Sequence, residues 1–206
     1  MSTILLTGYE PFGEYDTNPS GQLADDLDGS ADGETKIVGR KLPVIFEEAL
    51  PALVEEIEAH DPTAVLSTGL MPDRKVLSVE RVGINVRDVE DVPDNAGNTP
   101  VDTPVNDDGP AAYFSTLPIR DLVDASNAAG VPARLSNTAG THLCNNILYA
   151  TRHYVTTNDL DVDSGFVHVP FSHEQVARRK DDAPSMSYDA MKRGLRAMAE
   201  EVAEPS

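Results

Sequence analysis

Short apolar runs that end in glycine or proline alternate with amphipathic stretches along almost the whole chain, and that alternation leaves few folds open. Residues 2–8, STILLTG, read as a buried strand. Asn18 can cap a helix that opens on Pro19 and carries Leu23 and Leu27. TKIVGRKLPV is a second strand. Next, Phe46, Ala49, Leu50, Leu53, Val54 and Ile57 form one apolar stripe with Glu47, Glu48, Glu55, Glu56 and Glu58 mostly off it, which predicts an amphipathic helix. TAVLSTG reads as a short buried strand and KVLSVERVGINV as one longer strand with β-branched alternation. PARLS is a further strand, and SGFVHVP a buried one closed by Pro170. One helix runs from about Pro118 to Gly130, one starts near Cys144, and Tyr188, Met191, Leu195, Met198 and Val202 mark the last. This is the pattern of an α/β protein: a single domain over residues 1–206, three-layer α/β/α, its mostly parallel twisted sheet covered by helices on both faces. In such sheets, sites gather at the carboxyl ends of strands. Three ends stand out: TGYEPFG, the SNTAG turn before Cys144, and HVP at 168–170. The Asp-, Asn-, Pro- and Gly-rich stretch 88–110 is long for a plain connection, and is expected to serve the site or hide a short hairpin.

Charge narrows the functional classes. The chain carries 35 acidic against 16 basic residues, a net charge of −19. That opposes phosphate backbones and anionic membranes, so neither nucleic acid nor a membrane is an expected partner. Aspartate outnumbers glutamate 21 to 14, and arginine outnumbers lysine 11 to 5. We read a surface suited to high salt, as in a halophile, where counter-ions screen self-repulsion. No apolar run is long enough to span a bilayer, and the start lacks the basic region of a secretory signal. A single cysteine leaves no intramolecular disulfide and fits a reducing, cytoplasmic location. TGYEPFG lacks the Lys-Ser/Thr ending of a P-loop, and no GxGxxG follows the first strand. Spaced ligands for zinc are lacking, so no metal or cofactor is expected.

Cys144 falls in the first turn of its helix, where unpaired amides and the helix dipole favour thiolate over thiol. Such a nucleophile needs a base, and the base an orienting group. Of the five histidines, His60 and His153 read as helix-end surface residues and His173 as a loop or rim residue after Pro170. His142, two residues before Cys144, could line a site. His168 sits in the apolar GFVHVP strand near its carboxyl end and is the best acid–base candidate. Glu80, between Val79 and Arg81 in LSVERVGIN, is a candidate orienting carboxylate, with a surface pair to Arg81 as the competing reading.

The same residues resemble those of pyroglutamyl peptidase type I, the pyrrolidone-carboxylate peptidase family of cysteine peptidases. The likeness runs from TGYEPFG through LPVIFEEA, LSVERVGIN, VPDNAG, SNTAGTHLCNN and GFVHVPFSHEQ to PSMSY. It implies Cys144 as nucleophile, His168 as general acid and base, and Glu80 as the catalytic acid residue that orients His168. It also implies peptides with an N-terminal pyroglutamate as substrates, and homo-oligomers, tetramers in several members. Two aromatics of the first turn, Tyr9 and Phe12, would hold the flat lactam ring, with Met71 in the pocket wall.

Three departures from the family pattern matter. His142 stands where Tyr or Phe is usual. Val89-Glu90-Asp91-Val92-Pro93 replaces Ala-Arg-Ile-Pro, one residue longer and without the arginine, for which Arg87 is a nearby substitute. Gly69-Leu70-Met71-Pro72-Asp73-Arg74 keeps the glycine and arginine of its motif but changes the residues between. These leave two alternatives open: an amidase on another small lactam, and a weakly catalytic homologue that binds pyroglutamyl peptides.

Overall fold

The computed structural model describes residues 2–32, 35–89, 91–180 and 182–203. Along the chain lie β1 (Ser2–Tyr9), α1 (Pro19–Leu27), β2 (Ala31–Asp32), β3 (Thr35–Leu42), α2 (Phe46–His60), β4 (Ala64–Leu70), β5 (Leu77–Glu80) and β6 (Val82–Ile84). There follow β7 (Ala112–Phe114), α3 (Ile119–Ala128), β8 (Ala133–Ser136), α4 (Leu143–Thr157), β9 (Asp163–Val169), β10 (Phe171–Ser172), α5 (His173–Arg179), β11 (Ser185–Met186) and α6 (Tyr188–Val202). The main sheet has the order β2-β3-β1-β4-β9-β5-β8. Strands β3, β1, β4 and β9 are parallel. β5 runs antiparallel to β9, with β8 parallel to β5, and β2 is a short antiparallel edge.

Alternation along the strands builds a core on each side. Ile4, Leu6, Leu66, Val79, Val167 and Val169 meet α1, α3 and α6 through Leu23, Leu122, Leu195 and Met198. Leu5, Val38, Val65 and Phe166 meet α2 and α4 through Phe46, Leu53, Leu143 and Ile147. The expected three-layer arrangement is therefore observed. Asn18 caps α1 as the sequence suggests, its Oδ1 accepting from the Ser20 amide, with Pro19 at the first helical position.

Two local expectations change. KVLSVERVGINV is not one strand. It breaks at Arg81, whose amide donates to Ser136 O while its own carbonyl accepts from Ser115. The first half stays in the main sheet as β5, and the second turns away to pair with β7 as a separate ribbon. Alternation reports an extended chain but not which partner it pairs with. His173 is not in a loop: it opens α5. The Ser172 side chain accepts from Gln175 N, and Gln175 Oε1 accepts from Ser172 N. That capping box is written in the sequence as SHEQ.

Candidate active site

β9 and β5 bring two side chains of the α2/α4 face together inside the protein. Val167 and Val169 point to the other core, so His168 shares its face with Phe166. On β5, Leu77 and Val79 likewise face away, which turns Glu80 toward His168. His168 Nδ1 lies 2.7 Å from Glu80 Oε1, and both residues are 0 % exposed. Facing a carboxylate, Nδ1 carries the proton, so Nε2 holds the free lone pair. Nε2 has no hydrogen-bond partner among the described residues. Burial pushes His168 below the usual histidine value, and the bond and charge of Glu80 oppose this without overcoming it. Glu80 does not pair with Arg81, which bonds to Asn137 Oδ1 at 2.8 Å. Its cation is Arg74, whose guanidinium reaches Glu80 Oε1 at 3.3 Å, Ser136 Oγ at 3.0 Å and Thr138 O at 3.2 Å. A buried carboxylate requires such a partner, and this requirement is the signal that could have singled out Arg74.

Cys144 is the second residue of α4. Its sulfur packs over Gly69, the β4 residue paired with His168 in register. A Cβ at Gly69 would stand 2.7 Å from Sγ and 2.8 Å from Phe166 Cζ, so the site requires a bare backbone there. Neighbouring residues in a parallel pair share a face, and Sγ thus sits on the same side of the sheet as the His168 ring. The surroundings of the sulfur work against the thiolate that the helix start favours. Part of Cys144 faces a cavity, yet its sulfur lies in the apolar cluster around Phe166 and Ile147. Burial pushes the thiol up to about 12, Glu80 adds to the rise, and the cysteine's own amide pulls weakly the other way. The helix start still offers donors. The first carbonyl-bound amide there is Asn146, which donates to His142 O at 3.0 Å, so the amides of Cys144 and Asn145 precede the ladder.

Above the sulfur opens a cavity of about 630 Å³, lined mainly by apolar groups. Tyr9, Phe12 and Met71 all line it together with Cys144. The Tyr9 hydroxyl donates to Leu143 O at 3.0 Å, and Phe12 meets Tyr15 edge-on at 5.1 Å. Sequence reasoning missed Tyr15 and Val44, whereas Leu70 and residues 91–93 fall in segments it singled out. Residues 91–93 belong to the long 88–110 stretch, among whose described residues no strand appears, only Thr103 bridging to Arg87. Glu90 is outside the described residues. Asp94 ties the stretch down, accepting from the Phe46, Ala96 and Asn98 amides.

Arg87 does not reach the cavity. Its Nε donates to Asn146 Oδ1 at 2.7 Å and Nη1 to Glu47 at 2.8 Å, which hold it over the Phe46 ring. His60 ends α2 beside Glu56 as expected. His153 is less exposed than its sequence position suggests, stacked on Tyr149 and bonded to the Tyr113 hydroxyl. Among the described residues no group of three or more His, Cys, Asp or Glu could hold a metal ion, and no helix is long and apolar enough to cross a membrane.

Known proteins share this arrangement of sequence and fold. The model of the pyroglutamyl peptidase family matches residues 2–205. A pyrrolidone-carboxylate peptidase of Pseudomonas fluorescens is 47% identical over 96% of this chain and 91% of its own length, and one of Escherichia fergusonii is 45% identical over 95% and 90%. The crystal structure of pyroglutamyl peptidase I from Bacillus amyloliquefaciens superposes with a TM-score of 0.95 at 35% identity, covering 99% of this chain and 97% of that one. A mutant pyrrolidone carboxyl peptidase from the hyperthermophile Pyrococcus furiosus gives 0.92 at 37%, covering 97% of each. With likeness of this extent in both sequence and backbone, the chain belongs to the pyroglutamyl peptidase family.

Proposed function

We propose that the protein is a cysteine exopeptidase that removes an N-terminal pyroglutamate from peptides. The observation that carries this reading is the buried Glu80–His168 bond of 2.7 Å beside the strand residue over which Cys144 Sγ sits, under an aromatic-lined cavity. A pyroglutamyl group is flat and uncharged, and suits apolar walls with a few backbone polar groups. In the mechanism, neutral His168 takes the thiol proton at Nε2 as sulfur attacks the carbonyl that joins pyroglutamate to the next residue. Glu80, itself held by Arg74, stabilises the imidazolium so formed. The amides at the start of α4 take the developing oxyanion, each such donor lowering the barrier by about 3 kcal/mol. His168 then gives its proton to the leaving amine, and afterwards draws a proton from the water that hydrolyses the thioester.

The test is chromophore release from a pyroglutamyl amide in molar salt. Wild type turns over, and Cys144→Ala, folded by circular dichroism, does not. A folded wild type without turnover would sink the reading, and turnover surviving Cys144→Ala would sink the mechanism.

The same reading includes a cytoplasmic enzyme of a salt-rich cell that works as a homo-oligomer. The β6–β7 ribbon supports self-association: Val82, Ile84, Ala112 and Phe114 share its outer face, and Phe114 is 67 % exposed.

A further inference from the structure

We propose that His142 is a positioning residue that locks the 91–93 wall of the acyl cavity to the start of the nucleophile helix, as the Nε2–H tautomer. His142 is the N-cap of α4. Its Nδ1 accepts from the Leu143 amide at 2.7 Å, and its Nε2 lies 2.9 Å from Val92 O. An amide can only donate and a carbonyl can only accept, so the two bonds together require a bare Nδ1 and a proton on Nε2. The ring lines the cavity beside Phe12 and Phe46, at centroid distances of 6.4 and 5.4 Å. The bond from Leu143 fixes the residue immediately before the nucleophile, whose carbonyl Tyr9 holds from the other side. The bond to Val92 fixes the wall opposite. The other ties flank the wall: Asp88 bonds Thr141 before it, and after it Asp94 accepts from the Phe46 amide while Asn95 donates to Val44 O and Pro11 O. Val92 itself is 46 % exposed, so its packing is slight beside the His142 bond. A phenyl or phenol ring at this position has no nitrogen to accept the Leu143 amide. The clasp is therefore specific to a histidine here.

The kinetic part of the test rests on the proposed peptidase activity; the spectroscopic part does not. His142→Asn keeps an acceptor for the Leu143 amide but is too short to reach Val92. It is expected to raise KM for a pyroglutamyl amide about fivefold, the worth of one hydrogen bond, with a smaller change in kcat. His142→Phe keeps a ring but loses both bonds. It should raise KM equally and also lower Tm by about 4 °C, a drop that His142→Asn avoids because its cap survives. An unchanged KM in both variants, or an equal Tm loss in both, would overturn the clasp. Independently, ¹⁵N NMR of the free wild-type protein at neutral pH should show His142 with an unprotonated Nδ1 and a protonated Nε2. Averaging of the two nitrogens would overturn the proposal whether or not the enzyme turns over.

Discussion

At the scale of single residues, burial favours the uncharged forms of the reactive pair: it raises the Cys144 thiol to about 12 and lowers His168. Iodoacetamide should accordingly label Cys144 more slowly than a free cysteine peptide at pH 7, with the rate still climbing past pH 9. Faster labelling than the peptide would contradict a protonated resting thiol. The acid limb of kcat/KM follows in sign. His168 must be neutral to take a proton, so activity rises with pH through a midpoint below the ordinary histidine value of about 6.5. Glu80→Gln removes the charge that opposes burial; the midpoint should fall further, and kcat should drop by about a hundredfold or more. A midpoint above 6.5 in the wild type would be inconsistent with the buried pair. Cys144 and His168 were legible from residue chemistry, whereas Glu80 became distinct only through its motif. The helix start alone points to an acidic thiol, whereas the apolar cluster packed against Cys144, which local sequence does not show, raises it.

At the scale of elements, the long 88–110 stretch behaves as an anchored wall. Asp94 is its main tie. Burial alone would raise its carboxyl, but hydrogen bonds from the Asn98 side chain and the Phe46, Asn98 and Ala96 amides outweigh burial and hold it below the usual aspartate range. Asp94→Ala leaves the Phe46 amide at the start of α2 without its acceptor and frees the wall. We expect a stability loss of about 1–3 kcal/mol by urea unfolding, together with a raised KM. Because the folded-state value is depressed, this stabilisation is complete above about pH 4 and fades as pH falls through that value. The gap between wild type and variant should close on acidification, and a gap that widens would refute the assignment. Length and composition of the stretch signalled a functional segment. Its ties, being contacts from residue 94 to residue 46 and from residue 92 to residue 142, are invisible to local pattern. The break at Arg81 escaped for the same reason.

At the scale of the whole molecule, the α/β alternation was enough to give the layers, because each strand and helix must bury the stripe that its own period creates. The reversed β5 was not legible, since nothing within Leu77–Glu80 records strand direction. Charge acts at this scale too. The cations present form surface pairs such as Lys41–Asp25 and Lys192–Asp26, and such pairs contribute little. With 35 acidic residues against 16 basic ones, the excess negative charge repels itself. Salt near 1 M, with a screening length of about 3 Å, should raise Tm and activity together. Full stability and turnover in dilute buffer would exclude the halophilic reading. The reversal of β5 has one further consequence. In register Glu80 lies opposite Phe166, two residues before His168 along β9, and both Glu80 and His168 are fully buried. The carboxylate end of the site is closed to solvent, while Cys144 at the other end borders the cavity. The hydrogen between Glu80 and His168 should be among the last in the protein to exchange with deuterated solvent.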